Sequence, residues 1–359
     1  MFNNLFNDSS VLHAKNLLLG ALQERQKTIT GIKPPLASLK VTYDELIRNF
    51  SSLRGTPLFF PYLGTGLGRG PFVELMDGSI KYDFISGIGV HFFGHSHPDI
   101  ISASIDAALS NTVMQGPLQQ NIDSLALIEL LTKASRLDCC FLTTSGAMAN
   151  ENALKLVFQK NFPRPRLLAF NRTFSGRTLA LSQITDKPLY RKGLPKTVDV
   201  DYVPFFDEKF PKESLEQAKS VLLAHMARYP QQHAAMIFEL VQGEGGFYPG
   251  EAHFFKSLME ILKEHGIFIF VDEIQTFGRL PQLFGFQHFN LDDFVDVVSI
   301  GKMSQVCATL FRKNLTPEKG LISQTFSSST VAIKTGQVII KKLLAEGFYG
   351  PEGKIVQYE

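Results

Sequence analysis

From about residue 80 onward, short apolar runs alternate with longer amphipathic stretches, and this alternation constrains the fold more than any other feature. Each apolar run has the length of a buried strand, and each amphipathic stretch has the length of a helix. Strands are predicted at residues 139–142, 166–170, 235–238, 267–271 and 295–300, and helices at residues 150–162, 213–228, 251–265 and 331–345. This alternation is typical of an α/β fold, in which helices cover both faces of a mainly parallel sheet.

The composition argues against several other classes of protein. The chain has 359 residues, enough for one large core, and its net charge of +2 comes from charges scattered along the chain, which gives no indication of nucleic-acid binding. The first ten residues are polar, and no apolar stretch approaches the roughly 20 residues of a membrane span. The three cysteines fit neither a disulfide framework nor a zinc site. We therefore expect a cytoplasmic protein without a metal or a membrane partner.

The N-terminal part of the chain lacks the alternating pattern. Residues 1–60 combine short amphipathic stretches with Pro and Gly breaks, which predicts an N-terminal arm. Residues 64–70 are rich in glycine, but no clear strand precedes them and no helical pattern follows, so we predict a flexible active-site loop and not a dinucleotide site.

Polar residues that directly follow predicted strands are the first candidates for a site, because ligands of open α/β sheets bind at the carboxyl ends of the strands. Residues 143–147, Thr-Thr-Ser-Gly-Ala, lie between a predicted strand and a predicted helix. Small residues let the backbone approach an anion, and a helix N-terminus offers free N–H groups and the positive end of a dipole. The segment therefore suits a phosphate, although Ser145 could equally be an ordinary N-cap.

Asp272 directly follows the predicted strand at residues 267–271. A buried carboxylate is costly unless it meets a positive partner, and a protonated pyridine nitrogen is one such partner. The alternative is that Asp272 caps the next turn.

Lys302 follows the predicted strand at residues 295–300. At the mouth of an apolar cleft, desolvation would lower its pKa and make it a competent amine nucleophile, whereas the alternative is a solvated surface lysine.

A phosphate seat, a carboxylate for a ring nitrogen and an amine for an aldehyde are the three anchors that pyridoxal phosphate requires. Their occurrence at three strand ends of one chain indicates a site for this cofactor.

From residue 64 to the last residue, the chain resembles the class-III aminotransferases, pyridoxal-phosphate enzymes of fold type I that include 4-aminobutyrate, acetylornithine and lysine 6-aminotransferases. The resemblance is carried by ordered blocks at residues 73–78, 82–84, 86–90, 94–98, 145–147, 174–178, 242–246, 272–276 and 301–302. Residues 146–155 and 301–307 are most similar to the lysine 6-aminotransferase branch. The resemblance implies an arm and part of a small domain over residues 1–79, a large cofactor-binding domain over 80–318, and an interface turn with the start of a C-terminal small domain over 319–359.

The resemblance also implies roles for the residues around the cofactor ring. Lys302 would form the Schiff base with the cofactor and carry a proton between the substrate carbon and the cofactor. Asp272 would pair with the pyridine nitrogen, and Gln275 would hydrogen-bond the ring hydroxyl. Phe174 would stack on the ring, as an aromatic plane suits a flat heterocycle.

Further roles concern the phosphate, the substrate and the partner chain. The phosphate would be held by Ser145, Gly146 and Ala147, and by Thr325 reaching across a homodimer interface. Arg177 would bind a substrate carboxylate, for which its planar fork is suited, and Glu244 would pair with a pocket arginine.

The chain departs from the family pattern at several positions. Ser175 stands where the family usually has histidine, Leu240 replaces a frequent proline, Phe277 replaces a frequent glycine, and three serines at residues 327–329 replace a Gly-Gly-Asn turn. Family chains continue past the point that matches Glu359 into a segment that supplies a second arginine for the substrate. The resemblance implies that this segment is missing here, either by truncation or by divergence.

The expected reaction moves an amino group from an ω-amino or diamino acid to a 2-oxo acid, expected to be 2-oxoglutarate. An aminomutase of the same family and a degenerate, non-catalytic family member are the alternatives.

Overall fold

The computed structural model describes residues 5–358, and the chain forms two compact units that meet in sequence between Ser110 and Asn111. The domain bounds predicted at residues 79 and 318 remain predictions. None of the helices formed by residues 5–358 is long and apolar enough to cross a membrane.

The first unit contains three helices and a small antiparallel sheet. The helices are Ser9–Gln26 (α1), Ala37–Arg54 (α2) and Pro98–Ala108 (α3), and the strands are Gly64–Arg69 (β1), Phe72–Leu75 (β2) and Ile80–Tyr82 (β3). The Asp8 carboxylate caps α1 by accepting from the Ser10 amide at 2.8 Å. An ion pair of 2.8 Å between Lys15 and Asp106 joins α1 to α3.

Three of these elements, α1, α2 and β1, differ from the prediction. The short stretches predicted before residue 60 are helices of 18 residues each. Their sequences do not indicate this length, because exposed leucines such as Leu12, Leu17 and Leu18 interrupt the division into an apolar and a polar helix face. The loop predicted at residues 64–70 was wrong, because β1 occupies residues 64–69. Glycine is needed there since a Cβ on Gly68 would lie 2.4 Å from the Phe72 carbonyl oxygen.

The second unit is built on a seven-stranded sheet. Its strands are Cys139–Thr143 (β4), Arg166–Phe170 (β5), Asp199–Val203 (β6), His233–Phe238 (β7), Phe268–Glu273 (β8), Val297–Ile300 (β9) and Cys307–Phe311 (β10). They are ordered β4-β10-β9-β8-β7-β5-β6, and β10 runs in the opposite direction to the other six strands. The predicted α/β fold with a mainly parallel sheet is confirmed.

The helices of this unit are Ile122–Ser135 (α4), Gly146–Lys160 (α5), Pro211–Arg228 (α6), Ala252–Glu264 (α7) and Thr330–Ala345 (α8). Helix α5 buries Ala149, Ala153, Leu156 and Val157, which recur at helical spacing and form one apolar stripe. Ala153, Leu156 and Val157 belong to a buried cluster that includes residues of β5, β7 and β9, so this stripe fixes α5 on the sheet. Shorter elements complete both units, namely Leu5–Asn7, Ser86–Gly89, Val113–Met114, Leu181–Ile184, Pro188–Arg191, Val241–Gln242, Gly243–Gly246, Tyr248–Pro249, Gly285–His288, Lys302–Ser304, Lys313–Leu315, Ser328–Ser329 and Val356–Tyr358.

Candidate active site

The ends of β4, β8 and β9 lie at one edge of the sheet. In the register of the parallel pair β8–β9, Asp272 is opposite Ser299 and Glu273 is opposite Ile300. Strand β10 runs back from this edge, with Cys307 opposite Thr143 at the end of β4. The three polar segments that sequence reasoning selected are therefore brought together by the sheet.

A cavity of about 340 Å³ opens at this edge. Seven predicted site residues line it: Gly146, Ala147, Phe174, Arg177, Asp272, Gln275 and Lys302. Asn150, Ser175, Gly176, Glu239, Val241 and Ile274 complete the lining. Ser145, Glu244 and Thr325 are not part of this wall.

The start of α5 forms one side of the cavity. Ser145 is the N-cap of the helix, and its hydroxyl accepts from the Met148 amide at 3.2 Å. This is the ordinary role of an N-cap, but the hydroxyl hydrogen is still available as a donor. Ser145 can therefore cap the helix and also donate to a phosphate. A Cβ on Gly146 would lie 2.9 Å from the Ile274 Cδ1 atom, so glycine lets the helix start approach the cavity wall closely. The N–H groups of a helix's first turn have no partner within the helix and suit an anion.

Asp272 is 6% exposed and lies in the cavity wall. Burial raises the pKa of its carboxyl to about 6, against the effect of hydrogen bonds from Ile274, Asn150 and Ser299. The Oδ1 atom accepts from the Ile274 amide at 3.0 Å, which is the turn-capping role considered from the sequence. The Oδ2 atom accepts from Asn150 Nδ2 at 2.7 Å. A carboxylate offers about four acceptor positions, so Asp272 can take a further cationic donor.

The neighbouring buried carboxylate has a separate task. Glu273 accepts from the amides of Gly285 and Phe286 at 2.7 and 2.8 Å, and it does not line the cavity. Glu273 is buried because its carboxylate caps the start of the short helix Gly285–His288.

Lys302 is separated from the end of β9 by Gly301, and it lines the cavity, half-buried. Its backbone has φ 49°, in the left-handed region that non-glycine residues seldom adopt. Burial lowers the pKa of the Lys302 amine, and the nearby Arg279 charge lowers it further. The alternative from the sequence was a solvated surface lysine. The half-buried environment of Lys302 differs from that, and it favours the neutral, nucleophilic amine.

Aromatic and charged side chains gather at the exposed side of the cavity. The Arg177 guanidinium lies 4.4 Å from the centroid of the Tyr190 ring and 6.0 Å from that of Phe174. The carboxylate of Glu244 accepts from Lys187 at 3.3 Å. Gln275 packs against Gly243, where a Cβ would fall 2.1 Å from the Gln275 Oε1 atom.

Thr325 is exposed in the Ser/Thr-rich turn before α8. The next residue back, Gln324, accepts from the Thr143 hydroxyl at 2.8 Å, which attaches the turn to the end of β4. Residues Ser328–Ser329 pair antiparallel with Val113–Met114 and hold its other side.

Sequence reasoning missed Glu239 and Asn150. Glu239 accepts from the Thr173 hydroxyl at 2.9 Å and from the Phe174 amide at 2.8 Å, and its burial, with the nearby Asp272, raises the pKa of its carboxyl to about 8. It directly follows β7, so the strand-end rule that selected Asp272 and Lys302 would also have selected it. Asn150 lies within α5, where the sequence offers no comparable signal.

The residues fit pyridoxal phosphate. Asp272 is a buried carboxylate suited to a cationic ring nitrogen, and Lys302 is an amine with a lowered pKa on the same cavity wall. In the part of the chain that the structure describes, Asn150 Oδ1 and Ser175 Oγ are buried at this cavity without a hydrogen-bond partner, so polar groups of a ligand or water are required there. Residues 5–358 contain no group of three or more His, Cys, Asp or Glu side chains that could hold a metal ion.

Known proteins share both the sequence pattern and the fold. Residues 62–340 match the family model described as aminotransferase class-III. The acetylornithine aminotransferase of Halalkalibacterium halodurans is 30% identical over 291 residues, which cover 78% of this chain and 71% of that protein. Acetylornithine aminotransferase 2 of Bordetella pertussis is 31% identical over 291 residues, which cover 78% and 69%. The structure of lysine aminotransferase from M. tuberculosis matches the fold with a TM-score of 0.73 at 19% identity, over 84% of this chain and 78% of that chain.

Proposed function

Because the chain belongs to the class-III aminotransferases, as a pyridoxal-phosphate-dependent transaminase of fold type I, we propose that it takes the amino group of an ω-amino or diamino acid and transfers it to a 2-oxo acid, with 2-oxoglutarate as the expected acceptor. The observation that carries the proposal is the presence of buried Asp272 and half-buried Lys302 on the wall of one cavity. The relatives are named for acetylornithine and lysine, which both carry an amino group far from the α-carbon.

When bound, pyridoxal phosphate supplies an aldehyde for the amino group and a ring that withdraws electrons from the substrate carbon. The start of α5 would hold the phosphate with its free N–H groups, and the negative charge of Asp272 would keep the ring nitrogen protonated. Phe174, in the cavity wall, would stack against the ring, and Gln275 would hydrogen-bond its hydroxyl group.

Lys302 would hold the aldehyde end of the bound cofactor, and it would move a proton at the substrate carbon. A lysine with an ordinary pKa would remain charged at neutral pH and could not accept that proton. Burial and the nearby Arg279 charge both lower the pKa of the Lys302 amine, so a larger share is neutral. Arg177, at the exposed side of the cavity, binds a carboxylate of the substrate.

The proposal is tested by single-turnover spectra of the purified, cofactor-loaded protein with a panel of amino donors. We expect ω-amino donors such as lysine, ornithine, acetylornithine or 4-aminobutyrate to bleach the cofactor band roughly 10²-fold faster than alanine, which has only an α-amino group. Conversion of 2-oxoglutarate to glutamate would then complete the cycle. An isomerised amino acid without any free oxo product would indicate an aminomutase, and a failure to bind the cofactor at all would indicate a non-catalytic family member.

The proposal includes a homodimer in the cytoplasm, with active sites shared between two chains. Thr325 is exposed and lies outside the lining of its own chain's cavity. Its turn is attached to the end of β4, and Phe326 in the turn is 52% exposed. Leu118 is 84% exposed in the segment whose Gln120 donates to Ser327 of the turn at 3.3 Å, and such apolar exposure suits a surface that a second copy covers. Thr325 would donate its hydroxyl hydrogen to the partner's phosphate.

The substitution Thr325→Val should weaken cofactor affinity. A hydrogen bond to a charged group contributes about 1.5–3 kcal/mol, so the expected loss is roughly 10- to 150-fold. Titration of the cofactor band measures it, and Thr197→Val, at an exposed threonine outside the cavity lining, is the matched control.

A mixture of Lys302→Ala chains and Thr325→Val chains tests the shared site directly. With cofactor limiting, each variant alone should be nearly inactive, whereas a mixed dimer has one site with both changes and one with neither. Partial activity should therefore return. Chains that exchange subunits without recovering activity, or a wild-type protein that is monomeric and fully active, would rule out this arrangement.

A further inference from the structure

Asn150 makes two hydrogen bonds that tie together different walls of the cavity. Its Nδ2 atom donates to Asp272 Oδ2 at 2.7 Å and to the Ser175 carbonyl at 2.8 Å. Both partners are acceptors, so the orientation of the amide group is unambiguous. The side chain is 2% exposed, so bulk solvent has little access to either bond.

The bond to Asp272 differs from the other bonds that this carboxylate accepts. The Ile274 amide and the Ser299 hydroxyl both donate to Oδ1, at 3.0 and 3.4 Å, whereas Asn150 donates to Oδ2. With donors on both oxygens, the carboxylate plane is fixed. Donors also favour the ionised form of a buried carboxyl.

The position of Asn150 in the chain links this carboxylate to the rest of the site. Asn150 lies about one turn into α5, whose start forms the phosphate seat, and its second bond holds the backbone next to Phe174. A single side chain therefore connects the phosphate seat, the segment that stacks on the ring and the carboxylate that faces the ring nitrogen.

We propose that Asn150 is a positioning residue for the transaminase reaction, which keeps Asp272 ionised and oriented towards the ring nitrogen of pyridoxal phosphate. This inference rests on the proposed function, because it requires the cofactor to bind in this cavity. It assigns to Asn150 no contact with the substrate and no part in proton transfer.

The test is the substitution Asn150→Ala, with the ring nitrogen as the reporter. In protein loaded with cofactor labelled with nitrogen-15 in the ring, the wild-type chemical shift should be that of a protonated nitrogen. In the variant it should move towards that of the unprotonated form. Removal of the donor raises the pKa of Asp272, which burial already raises, so less of the carboxyl is ionised in the cofactor-free chain.

The same change should weaken cofactor affinity roughly 10-fold or more at pH 7. The sign of the pH dependence follows from the pKa of Asp272. The carboxyl loses its charge as the pH falls, and it does so at a higher pH in the variant, so the ratio of variant to wild-type dissociation constants should be larger at pH 6 than at pH 8.

The matched control is Asn152→Ala. Asn152 is an asparagine of the same helix, 1% exposed, and it does not line the cavity. Its variant should keep the wild-type chemical shift and the wild-type pH dependence of cofactor affinity. If Asn150→Ala does not fold, Asn150→Leu fills the space and removes the same donor, and the same readouts apply.

A folded Asn150 variant with wild-type chemical shift and wild-type pH dependence of affinity would overturn the inference. A wild-type protein that binds cofactor but converts none of the amino donors would overturn the proposed function instead. The two failures are thereby distinguished.

Discussion

Lys302→Ala is expected to abolish the cofactor's covalent attachment and to lower turnover by several orders of magnitude. The proposed mechanism gives this side chain two tasks, since it would anchor the aldehyde and carry the proton at the substrate carbon. Its position just beyond the end of β9, its place in the cavity wall and its lowered pKa all favour a nucleophilic amine. Loss of both tasks should exceed the effect of any other single substitution in this cavity.

Two measurements check the role of Lys302. Borohydride reduction of wild-type protein loaded with cofactor should fix the label on the peptide that contains Lys302, as read by mass spectrometry. Lys155→Ala, at an exposed lysine of α5, is the matched control and should leave labelling and turnover unchanged. Label on a different lysine, or substantial turnover by Lys302→Ala, would show the assignment to be wrong.

Asp272→Asn is expected to leave the cofactor bound while slowing the first half-reaction by roughly 10²-fold or more. Asparagine keeps the shape of the side chain but carries no charge, so the ring nitrogen is no longer held in its protonated form. The electron-withdrawing power of the ring therefore falls while most contacts persist. Rapid mixing of the loaded protein with an amino donor measures this rate separately from the second half-reaction.

A second buried carboxylate of the same sheet provides the control for Asp272. Asp296 is 4% exposed just before β9, and it accepts from Lys263 and from the Ile269 amide, both at 2.8 Å. Asp296→Asn should lower the stability of the chain and leave the half-reaction rate unchanged. Equal rates for Asp272→Asn and wild type would remove Asp272 from the proposed mechanism.

The elements that could be predicted are those in which local pattern and tertiary packing agree. Strands β4, β5 and β7–β9 coincide with apolar runs because parallel strands are buried on both faces. Asp272 and Lys302 stand out because each polar residue abruptly ends such a run. The assignments of catalytic and binding roles remain predictions until the variants are measured.

Other features were hidden for identifiable reasons. Glu239 directly follows the predicted strand at residues 235–238, so the strand-end rule applies to it, but only the packed structure shows that it lies beside Asp272. Asn150 and Asn152 are two residues apart in one helix, and only the packed structure shows which of them faces the cavity. Strand β10 was not predicted. The connection from β9 to β10 is short, and a short connection indicates an antiparallel pair, because a parallel pair needs a crossover of a dozen or more residues.

The placement of β10 has a consequence for the order in which the chain folds. Its partner β4 is distant in sequence, with Thr143 opposite Cys307, so their pairing closes a very long loop. Contacts of this kind are slow to form, because the entropy of loop closure is lost before the contact stabilises the chain. The pairs β8–β9 and β9–β10 are much closer in sequence and can form earlier. The Asp272–Lys302 half of the site is therefore expected to assemble before the phosphate seat joins it, and a nascent chain would acquire affinity for its cofactor only at this late step.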